Sequence, residues 1–335
     1  MPDAITISLD AMSGDRGAAV VVAAADAVLR RDPALRIVLV GDPAELERLC
    51  TQQTIAQPRC SIVAASEVVT MDDSPRDAIR RKKDSSMRVA INLLKDGAVD
   101  ACVSAGNTGA LMATAKFVLK TIPGIDRPAI IAEVPAVSGH VFMLDVGANA
   151  GCSAEQLFQF AIMGSVIARD VTGIDAPRVA LLNIGEEDTK GDDVVRAAAE
   201  RIGAASGINY IGFVEGNDIH QAKADVVVTD GFSGNIALKT MEGTAAFVAA
   251  TLKGTFTDNA SSKIRAWLAR PVLRAFRARI DPRHYNGATF AGLNGIVVKS
   301  HGGADAVAFE HAIDTAVVEV RSGVSRHIGQ QLERQ

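Results

Sequence analysis

The sequence predicts an α/β fold, a largely parallel, doubly wound sheet with helices on both faces. Three observations predict it. Short β-branched runs alternate with alanine-rich or amphipathic segments almost throughout. The connections are long enough to hold helices, as parallel crossovers require. Several runs end in turns that combine glycine with Asp, Asn, Lys or His, and the carboxyl edge of such a sheet is where ligands bind.

Residues 5–10 form the first strand, residues 11–17 a glycine-bearing turn, and residues 18–31 a helix. A second strand runs from Ile37 to Gly41, and Pro43 suits the first turn of the helix after it. Residues 61–65 form a third strand, and the polar segment 71–77 leads into a long helix carrying Arg80–Lys83 and Ser85–Arg88. Residues 101–106 are a strand, and Asn107-Thr108-Gly109 opens another helix. Residues 129–134 and 141–146 read as a neighbouring pair turned at Ser138-Gly139. Ser153-Ala154-Glu155-Gln156 is a capping-box signature for a helix reaching about Val171. Strands are expected at 179–185, 209–216, 225–229 and 295–299, with a last helix over 304–321. No Pro/Gly-rich linker marks a boundary. Residues 1–331 are therefore expected to form a single α/β domain, two lobes around a cleft, including a basic helical arm over 253–285.

The 335 residues are 48% hydrophobic and 22% charged, ordinary for a soluble globular protein. Aromatics at 4% and a net charge of −4 argue against a general nucleic-acid binder. Cys50, Cys60, Cys102 and Cys152 show no C-x-x-C spacing and read as reduced core thiols of a cytosolic protein. Met1-Pro2-Asp3 leads into a strand without a signal-peptide pattern. No apolar run approaches the roughly 18–20 residues that span a bilayer.

In a parallel sheet the turns at Asp10–Asp15, Ser104–Gly109, Asp145–Asn149, Asn183–Gly191, Asp230–Asn235 and Lys299–Gly302 should converge on one cleft. Their amides suit an anion. The dinucleotide, P-loop and nucleophile-elbow motifs are absent, and the scattered histidines give no metal-ligand spacing. Asp10, Asp145 and Asp230 read equally as general bases or as turn caps, and His301 as a ligand group or a structural hydrogen bonder. Lys190, flanked by Gly185 and Gly191 and preceded by Glu186, Glu187 and Asp188, is either a phosphate or oxyanion partner or a solvated lysine paired to those acids. Asn235 falls in the first turn of a helix, with an amide able to donate into the cleft.

From Asn259 to Ile280 the chain carries Lys263, Arg265, Arg270, Arg274, Arg277 and Arg279 with no intervening acid before Asp281. Lys263, Arg270, Arg274 and Arg277 fall on one helical arc, with Trp267, Leu268 and Val272 largely opposite. Pro271 should split the segment into two helices. A basic amphipathic arm of this kind suits an anionic membrane or an acidic protein, and packing on a subunit partner is the structural alternative.

Seven motifs occur together: Asp10-Ala11-Met12-x-Gly14-Asp15, Ser85-Ser86-Met87-Arg88, Ser104–Ala110, Leu144-Asp145-x-Gly147-Ala148-Asn149, Leu181–Glu187, Asp230-Gly231-Phe232-x-Gly234-Asn235 and Lys299-Ser300-His301-Gly302. In order and coverage the chain resembles the PlsX family, bacterial acyl carrier protein:phosphate acyltransferases. Ser13 departs from that family's usual glycine and leaves the shape of the first turn open. The resemblance implies a homodimer with a fold related to isopropylmalate dehydrogenase and phosphotransacetylase. It implies attack of inorganic phosphate on the thioester of acyl carrier protein, without a redox cofactor or catalytic metal. The acyl phosphate would pass to the membrane glycerol-3-phosphate acyltransferase, from a cytoplasmic, peripherally membrane-associated enzyme. Lys190 and Asn235 match the family's catalytic lysine and asparagine. Asp10, Gly14, Asp15, Asn107, Thr108, Gly109, Asp145, Asn149, Asn183, Gly185, Glu186, Asp230, Gly231, Gly234, Lys299 and His301 would line the substrate site. The alternatives are an acyl-coenzyme A phosphotransacylase, a hydroxy-acid dehydrogenase of the same broad fold, or a non-catalytic membrane adaptor.

Overall fold

The computed structural model describes residues 4–53, 55, 58–257, 265, 267–279 and 281–335. Among them the strands are β1 (Ile5–Asp10), β2 (Leu35–Gly41), β3 (Cys60–Ala64), β4 (Ala101–Ser104), β5 (Ala129–Pro135), β6 (His140–Leu144), β7 (Arg178–Leu182), β8 (Asn209–Val214), β9 (Val226–Val228), β10 (Ala288–Ala291) and β11 (Ile296–Lys299). The helices are α1 (Ala18–Arg31), α2 (Pro43–Gln53), α3 (Pro75–Arg80), α4 (Ser86–Lys95), α5 (Thr108–Leu119), α6 (Ala154–Thr172), α7 (Asp193–Ala204), α8 (Gly231–Thr257), α9 (Arg270–Arg279), α10 (Ala306–Ser322) and α11 (Val324–Leu332).

All strands join one sheet in the order β3-β2-β1-β4-β11-β10-β5-β6-β9-β7-β8. The pairings among β3, β2, β1, β4 and β11 are parallel, as are those among β6, β9, β7 and β8. The three contacts made by β10 and β5 between these blocks are antiparallel. The two blocks therefore run in opposite directions, and their carboxyl ends do not share one edge as a uniformly parallel sheet would require. A stagger brings the ends together instead. Val298 pairs with Thr289, Thr289 with Ile131, and Ile131 with Leu144, while Lys299 pairs with Ala288. The last residues of β11 and β6 thus lie one row apart, roughly 3.3 Å along the strand direction.

Alternation decides which face each side chain covers. Ile7, Leu9, Ile37 and Leu39 face α1 and α10 with Phe309 and Ile313 in one core. Cys102, Ile130, Ala132, Met143 and Val227 face the other way with Met87, Ile91 and Leu111. Ile131, Phe142, Leu144, Val226 and Val228 pack with Phe160, Met163 and Ile167 of α6. Burying each large side chain is worth roughly 1.5–3 kcal/mol.

Local chemistry sets several ends. Ser153 and Gln156 form the expected capping box of α6, and Gly173 closes it at φ 76°. The long helix expected after residue 77 is two helices. Ser74 accepts from the amide of Asp77 and Ser85 from that of Arg88, so a second cap interrupts the segment. The helix expected over 304–321 is found as α10, which Gly323 closes at φ 68°, and α11 follows it. In the first turn the left-handed positions are Gly14 (φ 94°) and Gly17 (φ 68°), so Ser13 needs no glycine-like backbone. Pro271 lies in the first turn of α9, and a turn at Ala269 separates this helix from the residues before it.

Glu319 of α10 is fully buried and accepts from the Thr289 hydroxyl at 2.6 Å, and its second oxygen has no partner. Burial pushes its carboxyl up to about 7. The folded protein then holds a proton that the unfolded chain releases near pH 4.5, so this site lowers stability as pH rises from about 4.5 to 7, by roughly 3 kcal/mol in all. Glu319→Gln should flatten that dependence. Urea unfolding at pH 5 and 7.5 checks it, and an unchanged pH slope in the variant would exclude the assignment.

Candidate active site

Asp145 follows β6 and is fully buried. Its carboxylate accepts from the amides of Ile130 (3.0 Å), Gly147 (3.1 Å), Ala148 (2.9 Å) and Asn149 (2.7 Å), and from the Asn149 side chain (2.9 Å). Burial pushes the carboxyl up and these donors oppose it. Asn149 also donates to the Pro128 carbonyl at 2.9 Å, and its own carbonyl accepts from the Gly231 amide at 2.7 Å. Helix α8 begins against this turn. A Cβ on Gly234 would lie 1.9 Å from the Asp145 carbonyl oxygen, and one on Gly231 would lie 2.7 Å from that of Asn149. The glycines of Asp230-Gly231-Phe232-Ser233-Gly234-Asn235 are therefore contact glycines. Asp230 is a cap, accepting from the Ser233 amide at 2.8 Å and its hydroxyl at 3.1 Å.

The other lip is built on the first block. Asp10 is buried at the end of β1 and accepts from Ser86 (2.5 Å) and Ser104 (2.6 Å). Burial pushes its carboxyl up against these hydroxyl donors. Gly14 abuts Ala105, and the Asp15 amide donates to the Gly302 carbonyl at 2.9 Å. Asn107 caps α5 by accepting from the Ala110 amide at 3.0 Å, and donates to the Met71 carbonyl at 2.7 Å. Gly109 packs on Pro75.

Between the lips lies a cleft of about 960 Å³ running along β5 under α8. Its polar end carries Thr108, Gly147, Asn235, Lys299, Ser300 and His301. Beyond these it is lined by Ile130, Ala132, Val134, Leu238, Met241 and Val248, with Phe276 of α9. Lys299 is only 9% exposed and donates to the carbonyls of Ser300 and Ala105. Its amine is pushed down to about 8 by burial, against the nearby charges of Asp15 and Asp10. The His301 amide donates to Asn286 Oδ1 at 2.8 Å, and its Nδ1 accepts from the Gly303 amide at 3.1 Å. Asn286 also donates to Ser300 Oγ at 2.9 Å and to the Ala308 carbonyl at 2.7 Å.

The structure thus brings Asn235, Lys299, His301 and Thr108 together on one cleft. Asp10, Asp145, Asn149, Asp230 and Asn107 are held in the frame around it. Asn183, Gly185, Glu186 and Lys190 are apart from its lining. Asn183 donates to the Lys190 carbonyl at 3.3 Å, a Cβ on Gly185 would lie 3.0 Å from Lys190 Cγ, and Glu186 pairs with Lys223. Lys190 itself is exposed on the loop after β7, the strand next to β9. Asn286 was not singled out from the sequence, nor was the apolar lining.

Arg265, Trp267, Leu268, Arg270, Val272 and Arg274 of the arm are exposed, Trp267 at 69%. Lys263 and the side chain of Arg277 lie outside the described residues. No helix among the described residues is long and apolar enough to cross a membrane. All four cysteines are free, and burial pushes the Cys60 and Cys102 thiols up to about 12 and Cys152 to about 11. They are poor thiolate nucleophiles.

A mostly parallel α/β sheet folded about such a cleft places the chain in the phosphotransacetylase-like fold class. A phosphotransacetylase from Streptococcus pyogenes superposes with a TM-score of 0.63 at 19% identity, covering 95% of this chain and 94% of its own. A 4-hydroxythreonine-4-phosphate dehydrogenase from Klebsiella pneumoniae shares the fold at a TM-score of 0.57 and 15% identity, covering 98% and 100%. Within that class the chain belongs to the family described as fatty acid synthesis protein, whose model matches residues 5–327. A phosphate acyltransferase of Alkalilimnicola ehrlichii is 56% identical over 335 residues, covering 99% of this chain and 97% of its own.

Two substitutions test the frame. Gly234→Ala must displace α8 from Asp145 and should cost about 1–3 kcal/mol in denaturant unfolding, with loss of any function that needs Asn235. Asp145→Ala leaves several buried donors unmet and should cost more than about 3 kcal/mol. Wild-type stability in both would contradict the geometry.

Proposed function

We propose that this acyltransferase converts long-chain acyl-[acyl carrier protein] and inorganic phosphate to acyl phosphate and free carrier protein, for phosphatidic acid and phospholipid synthesis. The observation that carries the reading is the cleft, whose apolar length suits an acyl chain and whose polar end presents Asn235 and Lys299. Phosphate is itself a nucleophile, so an acyl-enzyme intermediate is not needed. The site must instead align phosphate with the thioester carbonyl and stabilise the charge that develops on its oxygen. The Asn235 amide donates to that oxygen. Lys190, on the loop of the adjoining strand end, neutralises phosphate at the rim.

The exposed arm supplies basic and apolar side chains together. It receives the acidic carrier protein and an anionic membrane surface, from which the product reaches the membrane glycerol-3-phosphate acyltransferase. The enzyme works as a cytoplasmic homodimer, peripherally attached to the membrane, without a redox cofactor.

Purified protein mixed with acyl carrier protein thioester and phosphate should yield an acyl hydroxamate on trapping with hydroxylamine, and none without phosphate. Asn235→Ala and Lys190→Ala should each lower its rate by about 10²–10³ with folding intact. Equal turnover of the coenzyme A thioester would widen the substrate class. Nicotinamide reduction with a hydroxy acid, and no hydroxamate, would replace the reading with a dehydrogenase. Membrane binding without any turnover would favour an adaptor.

A further inference from the structure

Lys299 is a buried ammonium on the wall of a cleft, and the hydrogen bonds it makes go to backbone oxygens, not to a carboxylate. Its hydrogen-bond acceptors are the backbone carbonyls of Ala105 and Ser300. Of the two acids whose charge reaches it, Asp15 and Asp10, the buried Asp10 is engaged by the hydroxyls of Ser86 and Ser104. Lysine is strongly hydrated and costly to bury without a counter-charge. A buried cation left in this condition, lining the cavity that Asn235 also lines, is a place for an anion that arrives from outside.

We propose that Lys299 is a catalytic acid–base residue, which carries the proton released by the attacking phosphate to the departing thiol. The inference rests on the phosphate acyltransferase reading. The thioester step has a proton to move: hydrogen phosphate enters as a dianion with one O–H, and the carrier leaves as a thiol. An oxygen of the phosphate forms the new bond to the acyl carbon, and the carbon–sulfur bond breaks with its electron pair on sulfur. The Lys299 ammonium gives its proton to that sulfur and becomes a neutral amine. The amine then takes the remaining O–H proton of the acyl phosphate and is restored, so no further reactant is consumed.

The charges facing Lys299 fit this cycle. Asp10 of β1 and Asp15 of the following turn favour the ammonium, while burial and Lys239 of α8 favour the amine. His301 in the next turn is held by Asn286 and the Gly303 amide. The balance lies near pH 8, close to the ordinary value of about 8.5 for a thiol. Proton transfer between groups so matched runs in either direction at neutral pH. Arginine at this position could bind an anion and could not surrender a proton.

The test is the pH profile of hydroxamate formation from acyl carrier protein thioester and phosphate, for the full-length wild type, Lys299→Met and Lys299→Arg. Wild-type kcat should fall as pH rises through about 8, because the proton donor is then lost. Lys299→Met should lose about 10²–10⁴ in kcat together with that limb. Lys299→Arg should keep a near-normal KM for phosphate and still show the kcat loss, which settles the matter if the methionine variant does not fold. An aryl thioester, whose acidic thiol departs unprotonated, should recover most of the lost rate in both variants, a recovery that a purely structural role does not provide. Near-normal kcat with the wild-type limb in Lys299→Arg, or no recovery with the aryl thioester, would overturn the proton-carrying role. A wild type with no phosphate-dependent hydroxamate would take down the acyltransferase reading, and this inference with it.

Discussion

The Asp145 carboxylate is the constraint on which the site depends. One side chain ties together the end of β6, the start of β5 and, through Asn149, the first turn of α8. A carboxylate accepting from this many amides stays buried because almost every lone pair is used. The consequence is positional. The buried residues of helix α8 are Gly231 and Gly234, both set against the turn after Asp145, so the placement of Asn235 is inherited from Asp145. On the opposite lip Asp10 does a similar service with hydroxyl donors, holding the turns after β1 and β4 against each other. Two buried acids thus brace the two lips of the cleft.

Much of the fold could be read directly. Period-two and helical patterns located most strands and helices, because burial on both faces of the sheet leaves uninterrupted β-branched runs such as Val226–Val228. Strand direction could not be read. Nothing local in Ala288–Ala291 announces a strand, since four residues of mixed size carry little periodicity. Yet that strand is what reverses the sheet. The missing helix break at Ser85 has another cause. The Ser85 cap is joined by pairing with the distant Glu67, which accepts from the Ser86 amide and donates to the Asp84 carbonyl, a contact that no local pattern announces.

The site was legible by its punctuation. Asp-Gly, Gly-Ala-Asn and Ser-His-Gly turns after strands pointed to Asn235, Lys299 and His301, and the family resemblance supplied their order. Residue roles were harder. Asp10, Asp145 and Asp230 read equally as bases or caps, and the observed contacts are those of caps and struts. The apolar chamber was invisible because its walls, Ile130, Ala132 and Val134, look like any core strand. Only the chamber left between these strand residues and α8 distinguishes them from core. Lys190 read equally as a phosphate partner or a solvated lysine and is exposed on its loop, while Lys299, at the end of a β-branched run, is the buried one.

The stagger of the two blocks carries an evolutionary consequence. The polar ends of β11 and β6 meet because they are offset by one row across β10 and β5. Adding or removing one residue within either spacer strand would invert its side chains and pull the two lips out of line at once. Insertions should accumulate instead at the Ser138-Gly139 hairpin tip, where Gly139 has open space around it and φ of 75°. Length variation among descendants of this chain is thereby channelled away from the spacer, and the width of the chamber becomes an inherited dimension rather than an adjustable one.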